Sequence, residues 1–387
     1  MIRPGEANFR RCRLHRARLI IPVFLCALVL GACREPSAGR AGDQGSSPGP
    51  PKSTTPTTAL PDLPEPRTNL ALAAVSQADG VYLVAANGLA SGKRSEDTKK
   101  SLWVLDPGAD RWRVLPDLPV AEGRLASAAT AIAGLAYVFG GYSVATDGSE
   151  RSTPEVLAID PRSGTVTRRA EMPIPVDDSV ALPWRDRYVL LVSGWHDQGN
   201  VAAVQIYDTL SDRWQAATDF PGTPVFGHAG GLVGDELLIC DGVTASRDAQ
   251  GKATFVLTDA CFRGRLDPLQ IGQIHWQPVP AHPGRPRYRM AATGATRSPA
   301  RVVFAGGSEN PYNYNGIGYD GVPALASASV FSYEFGPAKW QVHAPTPAAT
   351  MDHRSLIELE GQYQLIGGMR DPQAVSAKVV RFGLLPP

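Results

Sequence analysis

Short apolar runs that end in glycine recur along the chain. Each run is about the length of one buried β-strand and is rich in Val, Leu, Ile and aromatic residues. Glycine tolerates the positive φ that a tight turn needs, so it is a suitable residue for a strand end. The run endings are Asn87-Gly88, Gly140-Gly141, Gly194, Gly242, Gly306-Gly307 and Gly367-Gly368. The pattern predicts six copies of one structural unit.

A second feature recurs between these endings. After a polar turn, a strand carries an aromatic residue and is followed by a Leu-Pro-like corner: Trp112, Trp214, Trp276 and Trp340 hold this place, and Val166 replaces the aromatic residue once. A unit of three or four short strands cannot bury both of its faces alone, whereas units packed radially around an axis can. Residues 57–387 are therefore predicted to form an all-β, six-bladed propeller.

The two ends of this region complement each other. The last unit, after Gly367-Gly368, stops without its aromatic outer strand. Residues 57–67, TTALPDLPEPR, resemble the end of the first full unit, VLPDLPVAEGR at residues 114–124. We expect the N-terminal segment to supply the outer strand of the last blade and so to close the ring.

The paired glycines, the downstream aromatic residue and the Asp-Pro or Asp-Thr turns resemble the Kelch repeat across about 330 residues. No strand ends in Trp-Asp, which disfavours a WD-type propeller. Kelch propellers include enzymes, lectins and adaptors, so this resemblance implies a fold and leaves the function open.

Composition narrows the alternatives. With 39 Gly and 34 Pro among 387 residues, long helices are disfavoured and a helical bundle is excluded. The formal net charge of +1 includes +5 from residues 1–32, so the remainder carries about −4. A mildly acidic body does not suit a nucleic-acid-binding protein.

The N-terminal region has the pattern of an export signal. Six Arg precede residue 19, and an apolar run follows to residue 32 that is too short to cross a bilayer comfortably. The run ends in Leu30-Gly31-Ala32-Cys33, which resembles the bacterial lipobox and implies cleavage before Cys33 and lipid attachment there. An ordinary signal peptide remains the alternative.

Residues 33–56 have the composition of a disordered tether, being rich in Gly, Pro and Ser. Arg34 follows Cys33, and the absence of Asp there resembles lipoproteins of the outer membrane. The sequence therefore predicts a signal at residues 1–32, a membrane anchor at Cys33, and location at the periplasmic face of the outer membrane.

Two cysteines remain in the predicted exported body, Cys240 and Cys261. Export places them in an oxidising compartment, so we expect a disulfide that closes a loop of about 20 residues. Two buried free thiols are the alternative.

A candidate binding site lies where the chain enters each inner strand, because these entries line one mouth of a propeller channel. Four residues at these entries are predicted to bind a polar or anionic small molecule, since Arg matches carboxylates: Arg124, Asp178, Arg289 and Arg354. Arg67, Asn69, Asp177 and His353 occupy related places. The alternative is that these groups pair with one another at the rim.

Residues 308–323 form the least usual segment, with three Tyr and three Asn and no Lys or Arg. Aromatic faces stack on sugar rings and amides bind hydroxyls, so Tyr312, Tyr314 and Asn313 are further candidates, with Trp195 facing them. The alternative is a rigid loop that closes over the neighbouring blade.

Two enzyme families with Kelch propellers bear on catalysis. Galactose oxidase binds copper partly through an adjacent Tyr-His pair, and here no Tyr precedes His; no metal and no other cofactor is expected. The exported sialic-acid mutarotases are similar at Phe226-Gly227-His228-Ala229 and at ARVVFAGGSENP, which ends near Glu309. That resemblance implies general acid–base ring opening by His228 and Glu309.

The sequence favours a non-catalytic propeller that binds a glycan or small polar molecule at the channel mouth. A sugar mutarotase is the first alternative, and a protein-interaction scaffold with an envelope protein partner is the second.

Overall fold

A computed structural model describes residues 59–197 and 199–385. Within them six sheets of antiparallel strands follow one another along the chain, and consecutive strands pair within each sheet. One three-residue 3₁₀-helix, Ser95–Asp97, is the only helix in these residues. The predicted all-β, six-bladed propeller is confirmed. The predicted signal, Cys33 and the tether all lie outside the described residues.

Five of the blades have four strands each, ordered from the channel outward. Blade 1 contains Ala71–Gln77, Gly80–Ala86, Leu102–Leu105 and Arg113–Leu115. Blade 2 contains Ala128–Ile132, Leu135–Phe139, Val156–Ile159 and Val166–Arg169. Blade 3 contains Val180–Trp184, Tyr188–Val192, Val204–Asp208 and Arg213–Ala216.

The second half repeats this plan. Blade 4 contains Ala229–Val233, Glu236–Cys240, Cys261–Leu266 and Ile274–Val279. Blade 5 contains Ala291–Ala295, Arg301–Ala305, Val330–Glu334 and Lys339–His343. In blade 6 the described strands are Ile357–Leu359, Gln362–Ile366 and Val379–Phe382.

In blades 2 to 6, four small hairpins and one long loop connect the second and third strands at one end of the ring. The hairpins pair Tyr142–Val144 with Glu150–Ser152, Trp195–His196 with Gly199–Asn200, Val243–Arg247 with Ala253–Leu257, and Met369–Arg370 with Ala374–Val375. In blade 5 the connection is the loop of residues 308–323, which we call the tyrosine loop. These connections build the channel mouth.

Each pair of neighbouring blades encloses an apolar cluster. Between blades 1 and 2, for example, Val75 and Val84 pack with Val138 and Ile159, and all four are buried. Equivalent clusters fill the other five gaps. Both faces of each sheet are therefore covered, as the repeat pattern requires.

The predicted N-terminal closure is confirmed at the outer corner of the last blade, while no described strand takes the fourth place in that blade. The backbone N–H of Leu63 donates to Ala377 O at 2.9 Å, just before the third strand of blade 6, as the N–H of Leu118 donates to Lys100 O at 2.7 Å in blade 1. Leu63 is buried between the last blade and the first, against Leu70 and Ile366. The start of the described chain thus occupies the outer corner of the last blade.

The recurring indoles make one contact in common. Trp112, Trp214, Trp276 and Trp340 each donate Nε1–H to a backbone carbonyl of the preceding outer corner, at Pro61, Ala170, Thr218 and Pro280 respectively. The contact of Trp112 with Pro61 shows that the N-terminal segment fills this place for blade 6. These indoles therefore link neighbouring blades.

The predicted disulfide is present. Cys240 and Cys261 lie opposite each other on adjacent strands of blade 4, with an S–S distance of 2.05 Å. Both are buried. The bond joins the two strands that carry the hairpin of Val243–Arg247 and Ala253–Leu257, so it ties down the base of one wall of the channel mouth.

Candidate functional site

One residue per blade adopts the left-handed backbone conformation just before the inner strand. The six residues are Asn69, Ala126, Asp178, Gly227, Arg289 and Asp352, with φ between 48° and 68°. Their backbones form part of a ring, in which the N–H of Asp178 donates to Ala126 O, that of Gly227 to Asp178 O, and that of Arg289 to Gly227 O. Five of the six are not glycine, and each costs roughly 1–3 kcal/mol of strain, as occurs at functional sites.

The ring brings charged side chains from blades 3, 5 and 6 together on the axis. Arg289 Nη2 lies 2.5 Å from Asp178 Oδ2, and its Nη1 lies 3.2 Å from Asp352 Oδ1. Arg354 Nη2 lies 2.6 Å from Asp178 Oδ1. We call these four residues the axial ion cluster; all of them are largely withdrawn from solvent.

Neutral side chains from blade 1 complete the cluster. Thr68 Oγ1 donates to Asp352 Oδ2 at 2.6 Å, and Asn69 Nδ2 donates to the same carboxylate. Asn69 Oδ1 accepts from Arg354 Nη2 and from the N–H of Ala126. Because its polar atoms are so extensively paired, the cluster forms a rigid floor across the axis.

The charges in the floor hold one another ionised. Burial alone would raise the pKa of Asp178, but the guanidinium groups of Arg289 and Arg354 outweigh it and lower the pKa. Burial alone would lower the pKa of Arg289. The Asp178 carboxylate and other neighbouring groups raise it by more, so the pKa of Arg289 is well above its usual value.

A cavity of about 100 Å³ lies against this floor at the channel mouth. Blades 2 to 5 all contribute to it. Its lining consists of Tyr142, Glu150, Asp177, Asp178, Trp195, Phe226, Phe255, Arg289, Asn313, Tyr314 and Tyr319. Six of these eleven residues are aromatic and three are acidic, so the cavity combines π-faces with carboxyl groups.

Two carboxyls beside the floor have raised pKa values. Burial, followed by the nearby Asp178 carboxylate, raises the pKa of Asp177 well above its usual value, and Ser152 Oγ donates to Asp177 Oδ2 at 2.7 Å. Desolvation likewise raises the pKa of Glu150, although much of that side chain is exposed. The cavity thus holds acids that bind protons more tightly than surface acids do.

The aromatic wall is continuous. The rings of Trp195 and Phe226 meet edge to face at 5.3 Å, and Phe255 lies within 6.2 Å of both. Tyr319 stacks on Phe255 with a centroid distance of 4.0 Å and an interplanar angle of 21°. The wall joins hairpins of blades 3 and 4 to the tyrosine loop.

The tyrosine loop extends across the mouth. Tyr314 packs against an apolar cluster that contains Leu89 and Leu125, from blades 1 and 2. Tyr312 is fully buried beside Tyr288, and its ring lies 5.4 Å from the Arg289 guanidinium carbon. The loop therefore closes over other blades, as one interpretation from the sequence held, and also lines the cavity; a ligand contact of the loop stays a prediction.

The two predicted catalytic residues each have a partner other than one another. His228 Nε2 contacts Val192 O at 2.9 Å, and burial lowers the pKa of His228 to about 4. Glu309 forms ion pairs with Arg287 and, at 3.3 Å, with Arg285. Neither His228 nor Glu309 is among the lining residues of the cavity. A catalytic role for either residue stays a prediction.

The predicted binding residues divide between three places. Asp178, Arg289, Trp195, Tyr314 and Asn313 line the cavity. Arg354 lies in the floor and Tyr312 behind it. Arg124 lies elsewhere, buried in a two-pronged ion pair with Glu155 at 2.9 Å for both bonds. A ligand contact of any of these residues stays a prediction. The Arg side chains pair with acids, which is the alternative to ligand binding that the sequence left open.

Four lining residues were not identified as site residues from the sequence: Tyr142, Glu150, Phe226 and Phe255. Tyr142 directly follows Gly140-Gly141, as Trp195 follows Gly194, so its position in the repeat could have indicated it. Glu150 and Phe255 lie in hairpins of different length. No sequence signal fixes where those hairpins bend.

Two features are absent from the described part of the chain. No group of three or more His, Cys, Asp or Glu side chains there is arranged to hold a metal ion. No helix in those same residues has the length and hydropathy needed to span a membrane.

Comparison with known proteins shows a similarity to Kelch-like proteins. No protein-family model matches the chain. Kelch-like protein 15 of Mus musculus is 23% identical over 243 residues, and that of Homo sapiens is 22% identical over 243 residues. Each match covers 60% of this chain but only 37% of the Kelch-like protein, so the chain corresponds to about a third of those relatives.

A solved structure gives a broader match. The structure of YjhT superimposes with a TM-score of 0.65 and 16% identity, covering 84% of this chain and 97% of that one. At this identity the similarity concerns the fold. Together with the six blades, these matches show that the chain is a six-bladed β-propeller whose repeats are similar to those of Kelch-like proteins.

Proposed function

We propose that the protein binds a small polar ligand, such as the end of a glycan, in the cavity at the channel mouth. One observation carries the proposal: aromatic rings and carboxyl groups from four blades converge on a single cavity with a rigid floor. Function in propellers resides in such grafted sites. The proposed role is binding without chemistry.

The size of the cavity limits the ligand. Pockets for drug-sized ligands measure roughly 300–1,000 Å³, and this cavity measures about 100 Å³. It suits one ring or one compact group, while the rest of a longer glycan would extend past Tyr319, which is 37% exposed. Trp195 and Phe255 would supply the apolar contact surface.

Binding is favoured over the mutarotase alternative because the expected acid–base and carboxylate-binding groups are engaged elsewhere. Burial keeps His228 neutral at physiological pH by lowering its pKa, and Glu309 pairs with Arg287. Arg289 and Arg354 pair with acids of the floor. Asp177 and Glu150, with raised pKa values, keep sugar ring opening as a second candidate, since both face the cavity.

A titration of the intact protein tests the proposal. Sugars and small polar molecules would be added while tryptophan fluorescence is recorded, and a glycan array would extend the range. Trp195→Ala and Tyr319→Ala should weaken binding about tenfold or more, whereas Trp276→Ala, which removes an indole that does not line the cavity, should not. Binding that is equal in all three variants would place the site elsewhere.

Anomer exchange measured by NMR separates the two candidates. The binding role predicts that exchange of sialic acid or hexose anomers is no faster with the protein than without it. Accelerated exchange that is lost in Asp177→Asn would instead support the mutarotase.

We further propose that the chain is exported and anchored through a lipid on Cys33, on the sequence pattern alone. A propeller held at the periplasmic face of the outer membrane would present the cavity to envelope glycans; an envelope protein partner is the alternative ligand. Metabolic labelling with a fatty acid should mark the wild-type protein and not Cys33→Ser. Pull-down of one specific envelope protein, with no glycan binding, would favour the scaffold role.

A further inference from the structure

The lining residues of the cavity contain more acid than base. Three carboxyl groups, those of Glu150, Asp177 and Asp178, face one guanidinium group, that of Arg289. The Arg289 nitrogens are directed to acids of the floor: Nε and Nη2 donate to Asp178, and Nη1 donates to Asp352. Among the lining residues that the structure describes, no cation is left unpaired to receive an anionic ligand.

The acids are less completely neutralised. Asp178 is compensated by Arg289 and Arg354. Asp177 accepts a hydrogen bond from Ser152 Oγ and has no ion pair, and the carboxyl of Glu150 has none either within the described residues. Neither of these carboxyls has a basic partner among the residues described, and a cation in the cavity would supply the charge compensation that both lack.

The aromatic wall adds to this polarity. Six rings line the cavity, from Tyr142, Trp195, Phe226, Phe255, Tyr314 and Tyr319. The faces of aromatic rings carry partial negative charge, and cages of such rings bind ammonium groups. A wall of π-faces beside two unpaired carboxyls is therefore complementary to an organic cation.

We propose that the ligand of this cavity carries an ammonium group that enters between the aromatic wall and the Glu150 and Asp177 carboxyls. The inference rests on the proposed binding function and names its ligand class: an amine or quaternary ammonium, free or as part of an amino sugar. A carboxylate would meet uncompensated acids with no available guanidinium. A neutral ring would gain the apolar contacts alone.

The size of the cavity fits this class. An ammonium head with its methyl or methylene substituents is compact, in keeping with a volume of about 100 Å³. The wall is also preformed, since the stack of Tyr319 on Phe255 fixes the tyrosine loop against the hairpin of blade 4. A preformed wall avoids the entropy of ordering side chains on binding.

Choline and its neutral carbon analogue, in which C replaces N⁺, test the proposal with the intact protein. The two probes have nearly the same shape and differ in charge. Calorimetric titration should show choline binding about tenfold more tightly than the carbon analogue. Glucosamine, glucose and glucuronate form a second series, with the expected affinity falling in that order.

Glu150→Gln tests the assigned residue, because it removes one charge from a largely exposed side chain and should leave the unfolding midpoint unchanged. It should weaken choline binding severalfold and leave the carbon analogue unaffected. Glu122→Gln removes a charge from an exposed residue outside the cavity lining and is the control.

The outcomes separate this inference from the proposed function. Equal binding of choline and its carbon analogue, or tighter binding of glucuronate than of glucosamine, overturns the cation preference while binding in the cavity stands. If Trp195→Ala leaves the binding of every probe unchanged, both proposals are rejected. If none of these probes binds, the cation preference is rejected, and the glycan array decides the proposed binding function.

Discussion

Asp178 and Arg289 are separated by 111 residues in the chain, yet Arg289 Nη2 lies 2.5 Å from Asp178 Oδ2 on the channel axis. Both residues adopt left-handed backbone conformations, at φ of 48° and 51°, and occupy the same position in blades 3 and 5. The strained backbone and the ion pair belong to one feature, because the ring of left-handed residues directs both side chains to the axis. This pair anchors the floor beneath the cavity.

Removal of Arg289 should destabilise the protein strongly. Arg289→Gln leaves Asp178 and Asp352 buried with less compensation, so the free energy of unfolding should fall by about 3–5 kcal/mol. Arg185→Gln is the matched control, because Arg185 pairs with Asp235 in the same two-pronged way at a solvent-exposed site. Its loss should cost less than about 1 kcal/mol. Denaturant unfolding of both variants measures the difference, and similar losses would contradict a structural role for the buried pair.

Closure of the ring should depend on Leu63. Leu63→Ala removes a buried side chain from the interface between the last and first blades and should cost about 2–5 kcal/mol. Leu118 holds the equivalent position and makes the equivalent backbone hydrogen bond, so Leu118→Ala is the control. Comparable drops in the unfolding midpoint are expected. A Leu63→Ala midpoint equal to that of the wild type would show that the N-terminal corner does not hold the ring together.

Loss of the Cys240–Cys261 disulfide should lower stability and loosen the cavity wall. Reduction should decrease the free energy of unfolding by about 2–4 kcal/mol. The hairpin that carries Phe255 is tied at its base by this bond, so ligand affinity should fall as well. Reductive alkylation with intact-mass measurement establishes that both thiols are modified. An unchanged midpoint in that modified protein would contradict the prediction, and Cys240→Ala/Cys261→Ala repeats the test without reductant.

Acid should destabilise the fold through buried histidines. Burial, the largest effect on both, lowers the pKa of His228 and of His353 to about 4 from an ordinary value of 6.5. Between these values the unfolded chain binds more protons than the folded protein does, so stability is retained above about pH 6.5 and lost as pH falls towards 4. Each residue contributes at most about 3 kcal/mol to this loss.

A variant isolates the effect of His228. His228→Gln keeps an N–H that can reach Val192 O but cannot titrate, so its unfolding free energy should depend less on pH than that of the wild type. Asp177 acts in the opposite direction, because its raised pKa makes its contribution decline as pH rises. Because Asp177 is present in both His228→Gln and the wild type, comparing the two at each pH cancels the contribution of Asp177. Parallel pH profiles would show that His228 does not titrate on unfolding.

Much of the fold could be predicted because each blade carries its own local signal. Three signals recur: the glycines at strand ends, the indoles, and the Leu-Pro corner found at both Leu63 and Leu118. They reflect strand length, turn conformation and burial of a short segment. These are properties of a few consecutive residues, so they are visible in the chain. The disulfide followed from the count of cysteines in the predicted exported body.

The site was predicted in part. The entries to the inner strands placed Asp178 and Arg289 at the mouth correctly, but their direct pairing across two blades was only one of two alternatives. His228 and Glu309 lie in segments whose sequences are similar to those of the mutarotases. In the structure, His228 is hydrogen-bonded to Val192 O and Glu309 is paired with Arg287. Glu150 and Phe255 reach the cavity through hairpins whose bends carry no sequence signal.

The sequence by itself therefore determined the all-β class, the number of blades and the ring closure, because strand periodicity and turn residues act locally. Only the tertiary structure decided which side chains share the cavity and which arginines are already paired with acids. The physical reason is that the electrostatics of the mouth depend on distances between residues about a hundred positions apart, such as Asp178 and Arg289. Radial packing of six blades sets those distances, and no short segment of the chain encodes them.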